Sequence, residues 1–510
     1  MTRQKSRKYC LIAWAWALVC LLLLVLVFFF PHMRYGAKTV FASPFILAPF
    51  GLVFLGLLYL IMKDITIYKG MPLLIGLLFL AFQIWCVKNY YFVTGWDSSN
   101  LIYAGVLAPY GQTDAYLVDY FSYYPNNIFL AILYCRIFSH VHALGKSWTD
   151  ALEIILNIQC LISFATGLVT FKLIEALTKQ RPVAFWGYLV YLLLIGLSPW
   201  VSIAYSDSAT LLFPVLLLFL YFLKPEHFLL KSLKWFAIGA LSMLGYRLKP
   251  TTAIPVIAMV CMESYRFSKT RSWKSLAKRI LLIFLGALCS GLLISKMTDA
   301  FYYETDPEKK IGIVHFFAMG LNENRMGVWS GDDVAYSKSF LTVSERNAAD
   351  WQLAKERLKA MGFRGLLRQW MRKLLTCFHD GTFAWTHEGN FFAQIFNNDS
   401  KIAKITRSFY YSSGENYHVF QNTEQAIWLC VLLFSLGAFF SRSRLTATVE
   451  LTLLGLILYL ILFEVRARYV YIFAPLFIVL AACGIDKIFS IAMRRLKRAA
   501  PLDLSASISD

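Results

Sequence analysis

The sequence has little charge, few acidic residues and no recognisable cysteine or glycine motif. Only 16% of its 510 residues are charged, and 50 Lys and Arg outnumber 30 Asp and Glu. None of the ten cysteines lies in a Cys-x-x-Cys pair or alternates with histidine at metal-ligand spacing, so neither a disulfide framework nor a zinc site is indicated. No glycine-rich phosphate loop is present.

Long apolar runs make up most of the chain. Apolar residues account for 58% of the positions, and uninterrupted runs of membrane-spanning length recur from end to end, which predicts an all-α polytopic membrane protein. The first run, residues 10–30, follows Arg3, Lys5, Arg7 and Lys8. Because this run is longer than the core of a signal peptide, we interpret it as a retained signal anchor.

Basic residues collect in the short connectors between the apolar runs. The connector at residues 264–279 alone contains six Lys and Arg. The positive-inside rule places such connectors, and both termini, on the cytoplasmic side of a plasma membrane. It also explains the formal charge of +20 without nucleic-acid binding. About twelve spans are predicted, at residues 10–30, 45–62, 71–87, 151–177, 183–203, 209–223, 235–247, 250–263, 280–296, 425–440, 446–463 and 470–490.

This topology leaves two regions of the chain outside the cell. We divide the chain into N-terminal spans (1–87), a first outer loop with an interfacial helix (88–150), a central bundle (151–296), a large extracytoplasmic loop (297–424) and C-terminal spans with a basic tail (425–510).

Two segments of these outer regions have apolar character without the length or composition of a span. Residues 128–138 are too few to cross a bilayer and include Arg136, which predicts an interfacial helix. Residues 351–378 alternate apolar and basic side chains and predict an amphipathic helix, broken near residues 362–365. That helix lies either against anionic headgroups or, as a lid, on the protein's own outer surface.

Asp97 is the candidate general base. It follows the third span, in the first outer loop, and Trp96 precedes it. Aromatic neighbours would desolvate the carboxylate and raise its basicity, which general-base chemistry requires. A second carboxylate, Asp207, lies between two apolar runs in the same outer layer. It is a candidate for binding a sugar hydroxyl, or simply part of a turn.

Four cations are predicted at two outer helix junctions. Arg247 and Lys249 lie at one junction, and Arg466 and Arg468 follow a later span. Cations at membrane depth are unfavourable unless they are paired or functional. Arginine binds phosphate oxygens in a bidentate manner and lysine adds a point charge, so these four residues are candidates for binding a lipid phosphate. Snorkelling to the headgroups is the alternative interpretation.

The chain resembles the GT-C membrane glycosyltransferases, in particular the branch with the protein O-mannosyltransferases and the lipid A aminoarabinose transferases. The shared features are short and extend over most of the chain. They are the acidic residue of the first outer loop (Asp97), Tyr123-Tyr124-Pro125, Tyr205 to Asp207, Lys249-Pro250, Arg466 to Tyr469 with Pro475 beyond, and, as in bacterial members, the segments 327–333 and 379–385.

This resemblance implies an inverting enzyme that uses a polyprenyl-phosphate sugar donor. It implies that Asp97 takes a proton from the acceptor hydroxyl and that Lys249, Arg466 and Arg468 bind the donor phosphate. An acceptor that is a bacterial envelope glycan, such as a wall polysaccharide or teichoic acid, is expected. Further candidates for binding acceptor or sugar are Asp207, Tyr123, Tyr124, Asn126, His379 and Asp380.

The sequence departs from the family pattern at the base. Family members commonly have two neighbouring acidic residues in the first loop, whereas this chain has Asp97 alone. A single carboxylate is a poor site for a divalent ion, so a metal is only weakly supported and no other cofactor is indicated. Two other functions fit the same residues: a flippase or transporter of lipid-linked saccharides, and a polymerase or ligase that uses pyrophosphate-linked donors.

Overall fold

The computed structural model of the chain describes residues 9–36, 41–270, 272–385, 388, 393–396 and 400–499. This part of the chain is predominantly α-helical, with one short antiparallel sheet. The helices are α1 (Cys10–Phe29), α2 (Pro44–Asp64), α3 (Met71–Asn89), α4 (Asp97–Leu107), α5 (Ala115–Tyr123), α6 (Ile128–Ala143), α7 (Trp148–Thr178), α8 (Arg181–Tyr191), α9 (Ser206–Ala209), α10 (Leu212–Phe222), α11 (Phe228–Leu248), α12 (Ile254–Thr270), α13 (Trp273–Asp299), α14 (Ile313–Gly320), α15 (Gly331–Lys338), α16 (Val343–Phe378), α17 (Lys401–Tyr410), α18 (Tyr417–Leu436), α19 (Arg444–Leu462), α20 (Arg468–Tyr471) and α21 (Ala474–Ala499); the strands are β1 (Tyr90–Val93) and β2 (Ala393–Phe396).

The predicted all-α polytopic architecture is confirmed. Within the described residues, nine helices are long and apolar enough to cross a membrane: α1, α2, α3, α7, α11, α13, α18, α19 and α21. Helices satisfy their own backbone hydrogen bonds, which a bilayer core requires. The other three predicted spans coincide with shorter helical segments, Arg181–Gly196, Ser206–Phe222 and α12.

The centre of the bundle is formed by α18 and α21. Most of their side chains are buried, including Trp428, which packs on Phe477 with ring centroids 5.3 Å apart. The two helices approach closely at Gly437 and Gly484, where a Cβ would lie 2.9 Å from the opposing backbone at Gly437 and would collide with the carbonyl of Phe434 at Gly484. Small residues at such positions allow membrane helices to pack with their backbones in contact.

Helices α11 and α13 form a pair at the edge of the bundle. Gly239 of α11 faces the Ile283 carbonyl, and Gly286 of α13 faces the Phe236 carbonyl. Further along, Met243 lies against Gly291, so the two helices run in the same direction. Helix α12 therefore carries the chain back between them, which agrees with the predicted span at residues 250–263.

The long region after α13 contains the helices α14 to α17. Helix α16 begins at a capping box, in which Thr342 and Glu345 each bond to the other's backbone N–H. Gly362 interrupts α16 with φ 56° and ψ −172°, a conformation that glycine adopts and other residues avoid. The predicted break near this position is confirmed. Beyond the break, Gln369 and Lys373 are fully buried, so this half of α16 packs on the protein itself.

The sheet joins the first loop to this long region. Strand β1 pairs antiparallel with β2, with Tyr90 opposite Phe396 and Val93 opposite Ala393. Since β1 ends four residues before Asp97, the pairing fixes the backbone that leads into α4.

Substitution of Gly239 tests the α11–α13 contact. We expect Gly239→Leu to force the helices apart, because a Cβ at this position collides with the Ile283 backbone, and overpacking costs about 1–3 kcal/mol. Thermal unfolding of the purified protein in detergent measures the loss. Gly56→Leu is the matched control, since a Cβ there meets nothing within 4 Å. Equal unfolding midpoints for the two variants would contradict the assigned contact.

Candidate functional site

Asp97 begins α4 and accepts hydrogen bonds on both carboxylate oxygens. Tyr120 Oη of α5 donates to Oδ1 over 2.8 Å, and Tyr205 Oη donates to Oδ2 over 2.7 Å. The Asn127 amide donates in turn to Tyr120 Oη over 2.6 Å. Asp97 itself is only partly buried, so it is held in one orientation and still accessible.

The predicted second carboxylate, Asp207, is buried between two of the predicted cations. Lys249 Nζ donates to Oδ1, and Arg468 Nη1 donates to Oδ2 over 3.0 Å. The exposed fractions of Asp207, Lys249 and Arg468 are 1%, 8% and 9%. Lys249 reaches this position because α11 ends at Leu248, before Pro250, which cannot continue the helix.

Two glutamates complete an ionic network around the arginines. Glu388 lies between them, with Oε1 3.0 Å from Arg466 Nη1 and Oε2 2.9 Å from Arg468 Nε. Glu464 lies 3.4 Å from Arg466 Nε and accepts a hydrogen bond from Tyr469 Oη over 2.9 Å. Three carboxylates thus neutralise three cations.

Aromatic rings connect Asp97 to this network. The Arg468 guanidinium lies 4.5 Å from the Trp96 ring centroid and 5.3 Å from that of Tyr205. Tyr205 is the same residue that donates to Asp97, and Trp96 Nε1 donates to the Glu388 carbonyl over 3.1 Å. Residues that are far apart in sequence therefore meet in one layer at one end of the bundle, which we call the Asp97 end.

Burial and neighbouring charges shift several pKa values at this end. Burial, followed by the nearby Asp97 carboxylate, raises the pKa of the Tyr120 and Tyr205 hydroxyls well above the ordinary value, so both remain proton donors to Asp97. Burial raises the pKa of Glu464, against the opposing effect of Arg466. Burial also lowers the pKa of Lys249, although Asp207 opposes this shift.

The other predicted residues make no ion pair with this network among the described residues. Arg247 is exposed, and Asn126 is exposed with its amide directed at Asn127. Tyr124 packs on Tyr120 with ring centroids 5.3 Å apart, next to the Asp97 carboxylate. Tyr123 instead faces the long region, with Lys338 Nζ 3.9 Å from its ring centroid.

His379 and Asp380 follow the end of α16. Asp380 accepts hydrogen bonds from Thr382 N (2.9 Å), Thr382 Oγ1 (2.6 Å) and Ala384 N (3.2 Å), and so orders the turn that follows it. Asp380 and Arg466 line a pocket of about 290 Å³ that is partly open to solvent. His379 is buried, and in the described part of the chain neither ring nitrogen has a hydrogen-bond partner.

Metal binding receives no support from the described residues, which contain no group of three or more His, Cys, Asp or Glu side chains that could hold an ion.

Two residues at this end were not predicted: Tyr120 and Glu388. Tyr120 precedes the Tyr123-Tyr124-Pro125 motif and donates to Asp97, and Asn127, which follows the motif, donates to Tyr120. Glu388 lies more than 70 residues before its arginine partners, and no local pattern marks it as their counterion.

A protein-family model described as "Conserved hypothetical integral membrane protein" matches residues 7–489 of the chain. No curated protein and no solved structure matches the chain.

Replacement of Asp207 tests the network. Asp207→Asn removes the negative charge from between two buried cations, and breaking such a pair costs about 3–5 kcal/mol. We expect a large drop in the unfolding midpoint in detergent. The double variant Asp207→Asn with Lys249→Met restores the charge balance and should recover part of that loss. If the double variant lost as much stability as Asp207→Asn and Lys249→Met lose together when each is measured alone, the coupling between the two residues would be contradicted.

His379 makes the stability of the protein dependent on pH. Burial, and then the nearby Arg34, lower the pKa of His379 from 6.5 to about 4, so the unfolded chain takes up a proton that the folded one resists. This contribution is complete above pH 6.5 and is lost as the pH falls toward 4, up to about 3 kcal/mol. His379→Gln should flatten the decline in unfolding midpoint over this range, whereas replacing the exposed His142 should not. Parallel decline in wild type and His379→Gln would refute the assignment.

Proposed function

We propose that this chain, which belongs to a family of conserved hypothetical integral membrane proteins, is an inverting glycosyltransferase that moves a sugar from a polyprenyl-phosphate donor to a cell-envelope glycan. One observation carries the proposal: an accessible, oriented carboxylate lies beside a buried cluster of lysine and arginine, connected through Tyr205. A base and a phosphate site next to each other are what transfer from a lipid phosphate requires.

Asp97 is the proposed base. As the acceptor oxygen attacks the anomeric carbon, its proton passes to an Asp97 carboxylate oxygen. The bond from the anomeric carbon to the phosphate oxygen breaks at the same time, and its electron pair leaves with the phosphate. Tyr120 and Tyr205 hold the carboxylate in place by donating to it.

Lys249, Arg466 and Arg468 are the proposed partners of the leaving phosphate. All three are paired with carboxylates in this structure. A phosphate would therefore exchange with one of these carboxylates rather than enter a vacant cationic site. Glu388 is the proposed exchanging group because it contacts both arginines, so that its displacement frees two guanidinium groups at once. Without the donor, the carboxylates keep the buried cations neutralised, since unpaired buried charge is strongly destabilising.

The distribution of basic residues supports an extracytoplasmic site. Arg266, Arg279 and Arg444 gather at the opposite end of the bundle from Asp97. We place that basic end on the cytoplasmic side of the plasma membrane, and the Asp97 end accordingly faces the envelope, where a glycan acceptor is available.

The test is sugar transfer by the purified protein in liposomes. Polyprenyl-phosphate sugars and envelope glycans serve as donors and acceptors, with wild type compared to Asp97→Asn. We expect Asp97→Asn to reduce transfer at least about 100-fold, within the range for loss of a general base, with unchanged donor binding and unfolding midpoint. Asp119→Asn is the matched control from the same loop, where Asp119 is half exposed and pairs with Lys309 over 2.8 Å.

Each other outcome is informative. Full transfer by Asp97→Asn would reject Asp97 as the base. Movement of donor across the bilayer without transfer would favour the flippase, which uses the cations but needs no base. Transfer from pyrophosphate-linked oligosaccharides alone would favour the polymerase or ligase.

A further inference from the structure

A second charged cluster lies at the opposite end of the bundle. Its centre is Glu263 of α12, which is 7% exposed. Arg279 of α13 donates to Glu263 Oε2, and Arg266 and Arg444 each lie 3.9 Å from its carboxylate oxygens. Tyr221 Oη donates to Oε1 over 2.8 Å. We call Glu263, Arg266, Arg279 and Arg444 the Glu263 cluster.

Among the residues that the structure describes, the Glu263 cluster has more cations than carboxylates, even when only Arg279 and Arg444 are counted against Glu263. One carboxylate faces three guanidinium groups, whereas three carboxylates balance three cations at the Asp97 end. The Arg279, Arg444 and Arg266 side chains are 22%, 31% and 46% exposed, so they remain accessible from outside the protein. Lys234 is a further cation nearby, and its ammonium group donates to the carbonyls of Tyr221 and Leu223.

One helix end adds to the attraction for an anion. Helix α19 begins at Arg444, a member of the cluster, whereas α11 and α13 begin at Phe228 and Trp273, six residues before Lys234 and Arg279. The N-terminus of each helix carries a partial positive charge. The cluster is separate from the Asp97 end, because Lys234 and Lys249 lie 15 residues apart along α11 and its cap, which is about 22 Å at 1.5 Å per residue.

Large apolar side chains lie exposed on the N-terminal halves of α11 and α13. Leu229 and Leu233 of α11 are 74% and 55% exposed, and Trp273 and Phe284 of α13 are 68% and 60% exposed. Cations and an apolar helix surface thus occur together at the end of a peripheral helix pair. A soluble phosphate would use the cations alone, whereas a phospholipid would use both surfaces.

We propose that the Glu263 cluster binds the phosphate headgroup of an anionic membrane lipid, whose acyl chains lie along α11 and α13. Arg279 and Arg444 contact the phosphate oxygens, in competition with Glu263, which offers Oε2 to Arg279 and Oε1 to Arg444. The site is independent of the glycosyl transfer proposed for the Asp97 end.

The test is lipid binding by the full-length protein in detergent, measured by native mass spectrometry and by the unfolding midpoint. The probes are phosphatidylglycerol, phosphatidylcholine and free glycerol phosphate. We expect phosphatidylglycerol to bind at least tenfold more tightly than phosphatidylcholine and to raise the midpoint. The variant Arg279→Gln with Arg444→Gln should lose this preference. The matched control, Lys69→Gln with Lys179→Gln, removes two exposed charges from connectors that adjoin each other through Arg181 and should keep it.

A further variant keeps the test decisive if the double arginine variant does not fold. Glu263→Gln retains a partner for Tyr221 and removes the competing carboxylate, so it should bind phosphatidylglycerol more tightly than wild type. If the lysine control lost as much phosphatidylglycerol binding as the double arginine variant, the binding would reflect overall positive charge, and the proposed site would be rejected. Stabilisation by glycerol phosphate equal to that by phosphatidylglycerol would overturn the lipid assignment.

Discussion

Burial of Asp207 between Lys249 and Arg468 is the interaction on which the Asp97 end depends. Burying any one of these three charged side chains alone would strongly destabilise the fold, because an unpaired charge loses its hydration without compensation. Each of the three side chains comes from a different element. Their pairing therefore also brings together the start of α9, the end of α11 and the start of α20. The aromatic contacts of Arg468 with Trp96 and Tyr205 then connect this junction to the loop that carries Asp97.

The two ends of the bundle balance charge differently. At the Asp97 end the three cations are matched by three carboxylates, and Lys249 and Arg468 are buried. At the other end Glu263 is outnumbered by partly exposed arginines. The same residue types therefore form a charge-balanced network at one end and a positively charged surface at the other. The difference lies in the ratio of cations to carboxylates and in how far the arginines are buried.

Hydropathy and charge patterns predicted the helices well because both act locally. Apolar runs located the long membrane helices, and glycine located the break in α16 at Gly362. The patterns also selected Asp97, Asp207, Lys249, Arg466 and Arg468 as residues of one layer. They did not reveal Glu388, which pairs with both arginines and is distant from them in sequence. Arg247 and Asn126 are exposed, whereas Lys249 and Asn127, two residues and one residue later, make buried contacts. Which of two nearby polar residues points inward depends on the turn at a helix end, and composition does not encode that.

The pairing of β1 with β2 has a consequence for how the chain assembles. The strand that leads into Asp97 finds its partner about 300 residues later, and Asp207 finds Arg468 261 residues later. During synthesis, the strand that leads into Asp97 has no partner until the chain has been made as far as β2. The early spans can therefore insert into the bilayer before the Asp97 end is complete. The Asp97 end forms late, and it forms only if both the early and the late segments are correctly folded.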